Sequence, residues 1–275
     1  MKISQEIIGT GLTSQVKVVQ IKEDYYAIKK FRDNYSVKQI RKEINILKYL
    51  NHPNIIQIID YNLESKYIIT ELLNKMDLFD ILAKNKKAFK INSIKYFSKQ
   101  LAQVIQYLHE KGFAHRDIKL ENILLDDNFN LRLCDFGLGE EMDSNLVQKS
   151  LGTLGYLAPE FYSDGLISAQ ELGKADIYSL GICIFVLGFA HPPYKSNTTQ
   201  CPYWNLLQMG QWQQYWELID KQNKFNQDFY SFIEGMLDQD PSKRFTIQEV
   251  LQHQFLIGEW KEEFEMEIRE RLFKQ

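Results

Sequence analysis

The feature that most constrains this chain is the run His115-Arg116-Asp117-Ile118-Lys119-Leu120-Glu121-Asn122, followed by Asp135-Phe136-Gly137. It places a carboxylate, a cation and two oxygen donors suited to a hard metal ion in a short stretch. The chain around it changes character. Up to about residue 72 the segments read as strands: Ile7-Ile8, Val16 to Val19, Tyr25 to Lys29, Ile55 to Ile59 and Tyr67 to Thr70. One helix interrupts them, with Ser36-Val37-Lys38-Gln39 as a capping box and Val37, Ile40, Ile44 and Leu47 at helical spacing. The remainder is mainly helical. Ile94, Phe97, Leu101, Val104, Ile105 and Leu108 form one stripe that stops at Gly112. Asn74-Lys75-Met76-Asp77 is the expected hinge between the halves, and a cleft there is a favoured place for a ligand.

Bulk properties exclude several classes. A net charge of −3 gives no support for nucleic-acid binding or a polybasic membrane patch. Cys134, Cys183 and Cys201 are odd in number and share no metal-ligand spacing, which argues for a reducing compartment and against a disulfide framework. The start of the chain lacks an apolar signal core. The longest greasy run, Leu180 to Ala190, is too short to span a bilayer and reads as a buried helix. An intracellular protein, cytoplasmic or nuclear, is the expectation.

More motifs fall around the central one. Gly9-Thr10-Gly11-Leu12-Thr13-Ser14-Gln15-Val16 precedes the strand Tyr26-Ala27-Ile28-Lys29, and Gly152-Thr153-Leu154-Gly155-Tyr156-Leu157-Ala158-Pro159-Glu160 precedes Asp240-Pro241-Ser242-Lys243-Arg244-Phe245. Together these resemble a eukaryotic-type protein kinase domain from about Ile3 to about Leu256. The resemblance implies an α+β fold of two lobes within a single domain, 1–275. A small, mainly antiparallel β lobe with one regulatory helix (about 1–72) joins a larger α lobe (about 78–256) through a hinge at about 71–77. A C-terminal helix spans about 257–275. It also implies phosphoryl transfer from ATP and Mg2+ to protein serine or threonine. Lysine two residues after Asp117, and Thr153 in the late loop, match the Ser/Thr class.

Site residues follow from the same resemblance. Ile8, Gly9, Gly11 and Ser14 belong to the loop over the phosphates, with serine where the family has its third glycine. Val16 and Ala27 are the roof of the adenine pocket, Leu124 its floor, Glu71 to Leu73 its hinge edge, and Thr70 the gatekeeper at its back. Lys29 holds phosphates while paired with Glu43. Asp117 orients the acceptor hydroxyl and takes its proton, Lys119 stabilises the transferring group, and Asn122 and Asp135 hold the metal. His115 is structural and packs with Phe136 beneath Leu47 and Ile58. Asp176 braces the catalytic loop, Glu160 pairs with Arg244, and Cys134 lines the back of the pocket as a small apolar residue. Asp77 touches the ribose, and with Glu121 it faces the substrate groove and favours basic residues upstream of the target.

A kinase-shaped scaffold is the rival reading, and retention of Lys29, Asp117, Asn122 and Asp135 speaks against it. Thr153 and the Ala-Pro-Glu segment disfavour a small-molecule kinase. Arg116 is expected to meet an anion on the activation segment. Lys149 stands where many relatives carry the phosphorylated threonine. Two routes stay open: phosphate on Ser150 or Ser144, placed by an upstream kinase, or standing charge from Glu140, Glu141 and Asp143. Leu120-Glu121-Asn122 and Gly152 to Tyr156 loosely resemble the calcium/calmodulin-dependent branch. The terminal stripe Ile257, Trp260, Phe264, Ile268 and Leu272 is too acidic for a calmodulin target and is expected to pack on the lower lobe or to be a short linker out of the domain.

Overall fold

The computed structural model describes residues 2–73, 76–142, 147–148, 152–162 and 165–273. Asn74 and Lys75 of the expected hinge, and Asp143, Ser144, Lys149 and Ser150, lie outside the described residues.

Alternation and β-branched residues in the first third build β1 (Lys2–Thr10), β2 (Ser14–Ile21) and β3 (Asp24–Phe31). After α1 (Val37–Tyr49) come β4 (Ile58–Asn62) and β5 (Tyr67–Glu71). They form a five-stranded antiparallel sheet in the order β1-β2-β3-β5-β4. The expected strand from Ile55 to Ile59 is displaced. Ile55 and Ile56 are buried but pair with the lower lobe instead of this sheet: Ile55 bridges Leu133, and the Ile56 N–H donates to the Leu133 carbonyl at 3.0 Å. Ser36 caps α1 only through its backbone, whose carbonyl accepts from Gln39 N at 3.0 Å; its side chain makes no capping bond.

The lower lobe begins with α2 (Leu78–Asn85) and α3 (Ile91–Glu110). All six residues of the predicted α3 stripe are buried, and Gly112 follows the helix with φ of 79°, a left-handed end that glycine adopts at little cost. Short pairs follow: β6 (Phe113–Ala114), β7 (Ile123–Leu125), β8 (Leu131–Leu133), β9 (Glu140–Glu141), β10 (Val147–Gln148) and β11 (Leu166–Ile167). They pair as β6 with β9, β7 with β8 and β10 with β11.

The greasy run Leu180–Ala190 proves to be the second half of α4 (Ala169–Phe189), opened by a Ser168–Glu171 capping box. This helix has the length and composition of a membrane span, but 83 % of that window is buried inside the lobe. Around it lie α5 (Pro202–Gln208), α6 (Trp212–Ile219), α7 (Gln227–Met236), α8 (Ile247–Gln252) and α9 (Lys261–Phe273). The motif-poor stretch 196–216 sends Trp204, Tyr215 and Trp216 into the core, while its first five residues are exposed. Phe185, Phe189, Trp216, Tyr230, Phe225 and Phe229 stack against one another there, with Phe225 and Phe229 centroids 4.0 Å apart.

The terminal helix starts later than its apolar pattern suggested. Trp260, Phe264 and Ile268 are buried and Leu272 partly so, whereas Ile257 lies outside α9 and is 74 % exposed. Buried Arg271 pins α9 in place. It donates to Glu267 and to the carbonyls of Lys87 and Ala88, and it stacks 3.8 Å from the Phe89 ring.

Candidate active site

Strand register fixes the upper wall. Val16 pairs with Lys29 across β2–β3, Ala27 with Thr70 and Lys29 with Ile68 across β3–β5, and Gly9 with Val16 across β1–β2. Side chains at directly paired positions share a face, so Gly9, Val16, Ala27, Lys29 and Thr70 line one side of the sheet. In the β1–β2 turn the Gly11 N–H donates to the Ser14 carbonyl at 2.9 Å and Ser14 is buried. Ile8 sits at the irregularity between Ile7 and Gly9 and stays 46 % exposed.

Lys29 is where the two lobes meet. Its ammonium donates to Glu43 Oε1 at 2.6 Å and to Asp135 Oδ1 at 2.8 Å. Burial alone would lower the pKa of Lys29, but the two carboxylates outweigh it and hold the amine protonated. In turn Lys29 pulls Asp135 down to about 2. Asp135 has φ of 63°, the left-handed region that a non-glycine residue adopts only when its surroundings hold it there.

Across the cleft, β6 leads into the loop that carries Asp117. The Asp117 Oδ2 accepts from Lys119 Nζ at 2.7 Å and Asn122 Nδ2 at 3.1 Å, and its Oδ1 accepts from the Thr153 hydroxyl at 2.7 Å. Lys119 also donates to Thr153 Oγ1 at 2.7 Å. The loop is braced from α4. Buried Asp176 accepts the backbone N–H groups of His115 (2.9 Å) and Arg116 (2.8 Å), and it meets His109 Nε2 at 3.0 Å. His115 Nδ1 accepts the Asp117 N–H at 3.2 Å and its Nε2 lies 3.1 Å from the Cys134 carbonyl, so both ring nitrogens are engaged in structure. The ring meets Phe136 edge-on at 4.7 Å, and Leu47 and Ile58 belong to the same core.

The hinge side is assembled by backbone. Asp77 bridges Leu124 of β7, which brings the end of the hinge against the expected pocket floor. The Asp77 carboxylate caps α2 by accepting the Asp80 N–H at 2.8 Å. Burial pushes Asp77 up to about 6 against that hydrogen bond, with Asp80 and Glu121 adding repulsion. Glu71 continues β5, and its side chain turns away to accept from Gln57 N at 2.9 Å, leaving Leu73 partly buried beyond it. Burial raises the Cys134 thiol far above its usual range, which favours its protonated form.

Among the described residues, His109, which joins Asp176, and Lys42, whose ammonium lies 2.6 Å from Glu140, have no role that the motifs imply. Position supplies a signal for the second: Lys42 adjoins Glu43 and so must project from the same helix near the cleft. Glu160 and Arg244 form the expected pair, bidentate at 2.7 and 2.9 Å.

A β lobe and a helical lobe clasping charged loops in this order are the architecture of a protein kinase, and a sequence profile of the protein kinase domain matches residues 3–256. The chain belongs to that family. It is similar to a calcium/calmodulin-dependent protein kinase type 1 from Macrobrachium nipponense, 29 % identical over 93 % of this chain and 75 % of that one. The protein of the same name from Caenorhabditis elegans is 30 % identical over 92 % and 74 %. A probable serine/threonine-protein kinase fhkC from Dictyostelium discoideum is 32 % identical over 90 % of this chain, which spans only 43 % of that protein's length. The chain is thus a protein serine/threonine kinase acting on protein substrates.

Proposed function

We propose that the chain transfers the γ-phosphoryl group of Mg-ATP to serine and threonine hydroxyls, its own included, with a preference for targets that carry basic residues upstream. The observation that carries this reading is the cluster around Asp117. One carboxylate is oriented by Thr153, Lys119 and Asn122 at hydrogen-bond distance, across the cleft from a Lys29 locked to Glu43 and Asp135. Such a carboxylate is held to accept a hydroxyl proton, and Lys119 beside it places positive charge where the transferring group becomes negative.

The donor set fits magnesium. Asn122 spends its amide nitrogen on the Asp117 carbonyl and carboxylate, which leaves its amide oxygen as an acceptor. Asp135 commits Oδ1 to Lys29 and keeps a second oxygen. Hard oxygen donors of this kind suit Mg2+, which neutralises phosphate charge when bound. Among substrate features, Glu121 Oε2 is buried without a hydrogen-bond partner, and Asp77 lies near enough to feel its charge. Two neighbouring carboxylates favour a guanidinium or ammonium group in the groove.

The test is transfer of labelled phosphate from Mg-ATP to a mixed serine/threonine peptide library and to the chain itself, with Asp117→Asn in parallel. Loss of about 10²–10⁴-fold in the variant is expected for removal of a positioned base. ATP binding without transfer under any condition would favour the scaffold instead.

A further inference from the structure

Arg116 directly precedes Asp117, with a side chain only 1 % exposed and a backbone φ of 67°. A guanidinium so deep needs anions near it. Glu140 provides one: its Oε2 lies 3.4 Å from Arg116 Nη1. The same oxygen accepts from Lys42 Nζ at 2.6 Å. Lys42 is next to Glu43 in α1, so a single carboxylate touches both the helix that carries Glu43 and the loop that carries Asp117.

Two features hold Glu140 there. Across β6–β9 it pairs with Ala114, which places it directly beside the strand that runs into His115 and Arg116. Gly139 lets the chain pass close to α1: a Cβ at that position would lie 2.9 Å from Ile46 Cδ1 and 3.1 Å from the Phe136 carbonyl. The contact with α1 is built into the backbone.

We propose that Glu140 is a positioning residue, whose standing charge ties α1 to Arg116 so that the site is assembled without phosphate on the activation segment. This rests on the phosphoryl-transfer reading above. Two cations share one carboxylate oxygen, and a phosphate would bring charge that these two residues already have. Phosphorylation at Ser144 or Ser150 then adds to a formed site and is not a condition for it.

The experiment compares phosphatase-treated chains shown by intact mass to carry no phosphate. Wild type and Ser144→Ala/Ser150→Ala are expected to turn over as fast as the untreated chain. Glu140→Gln should lower kcat by about ten- to a hundredfold, as for misplaced catalytic groups, while peptide KM holds. Glu140→Asp should recover most of the loss. Lys42→Met should fall similarly, and Glu140→Gln/Lys42→Met should be little worse than Glu140→Gln alone, because both remove one interaction. Independently of catalysis, hydrogen exchange in α1 and residues 113–118 should quicken in Glu140→Gln. Wild type silent until phosphorylated, with Glu140→Gln matching it afterwards, overturns the proposal, as does unchanged exchange. If wild type transfers nothing in any state, the phosphoryl-transfer reading fails and exchange alone decides the role of Glu140.

Discussion

At Asp77 the backbone bridges Leu124 while the side chain caps α2 and senses Glu121. Its value of about 6 lies above that of an unfolded aspartate, so the folded chain holds this proton more tightly. Between about pH 4 and pH 6 the group therefore costs stability as pH rises. Function runs the other way. Below pH 6 the carboxyl becomes neutral, and KM for a peptide with an upstream arginine should rise; Asp77→Asn, which preserves the cap, should flatten that dependence in steady-state assays. Single residues were also where the sequence was most legible. Lys29, Glu43, Asp117, Asn122 and Asp135 sit in short motifs whose spacing survives folding. Glu140 was one of several acidic candidates, because its partner strand β6 and its cation Lys42 are distant along the chain and only the fold joins them.

Elements were read less evenly, for physical reasons. Apolar residues mark burial, not pairing, so Ile55 and Ile56 read as strand of the upper sheet although their backbone pairs with Leu133 of the lower lobe. Capping boxes formed at Ser168 and Thr246, where glutamate stands at the third helical position, and not at Ser36, where that position is Gln39. Ile257 fits the α9 periodicity yet precedes the helix. The polar pins between elements carry sharper predictions. Arg244 is fully buried against Glu160, so Glu160→Gln should cost about 3–5 kcal/mol in urea denaturation by leaving an uncompensated charge. The α9 clamp should behave alike: Glu267→Ala strands the buried Arg271, with a loss of about 3–5 kcal/mol. Replacing both by apolar residues should recover much of it, which the same denaturation experiment would show.

For the whole molecule, specific links join the lobes, among them Lys29 to Asp135, Lys42 to Glu140, Ile55 to Leu133, and Asn54, whose side chain donates to the Leu131 carbonyl at 2.9 Å. A ligand that bridges the cleft should therefore stabilise the whole chain. At about a hundred times Kd, Mg-ATP should add about 2.7 kcal/mol, seen as a rise in Tm. Chelating the metal should remove most of that rise, and Lys29→Met should lose it too. The two-lobe fold was legible from the change in residue pattern near position 72, and the cleft followed from it.

The aromatic stack beneath α4 has a spectroscopic consequence. Every tryptophan of the chain, Trp204, Trp212, Trp216 and Trp260, lies beyond the hinge, and three of them are buried. The β lobe contains none. Intrinsic tryptophan emission will therefore follow the melting of one lobe alone, while far-ultraviolet dichroism follows both. A gap between the two curves would show the β lobe loosening first, with no label attached.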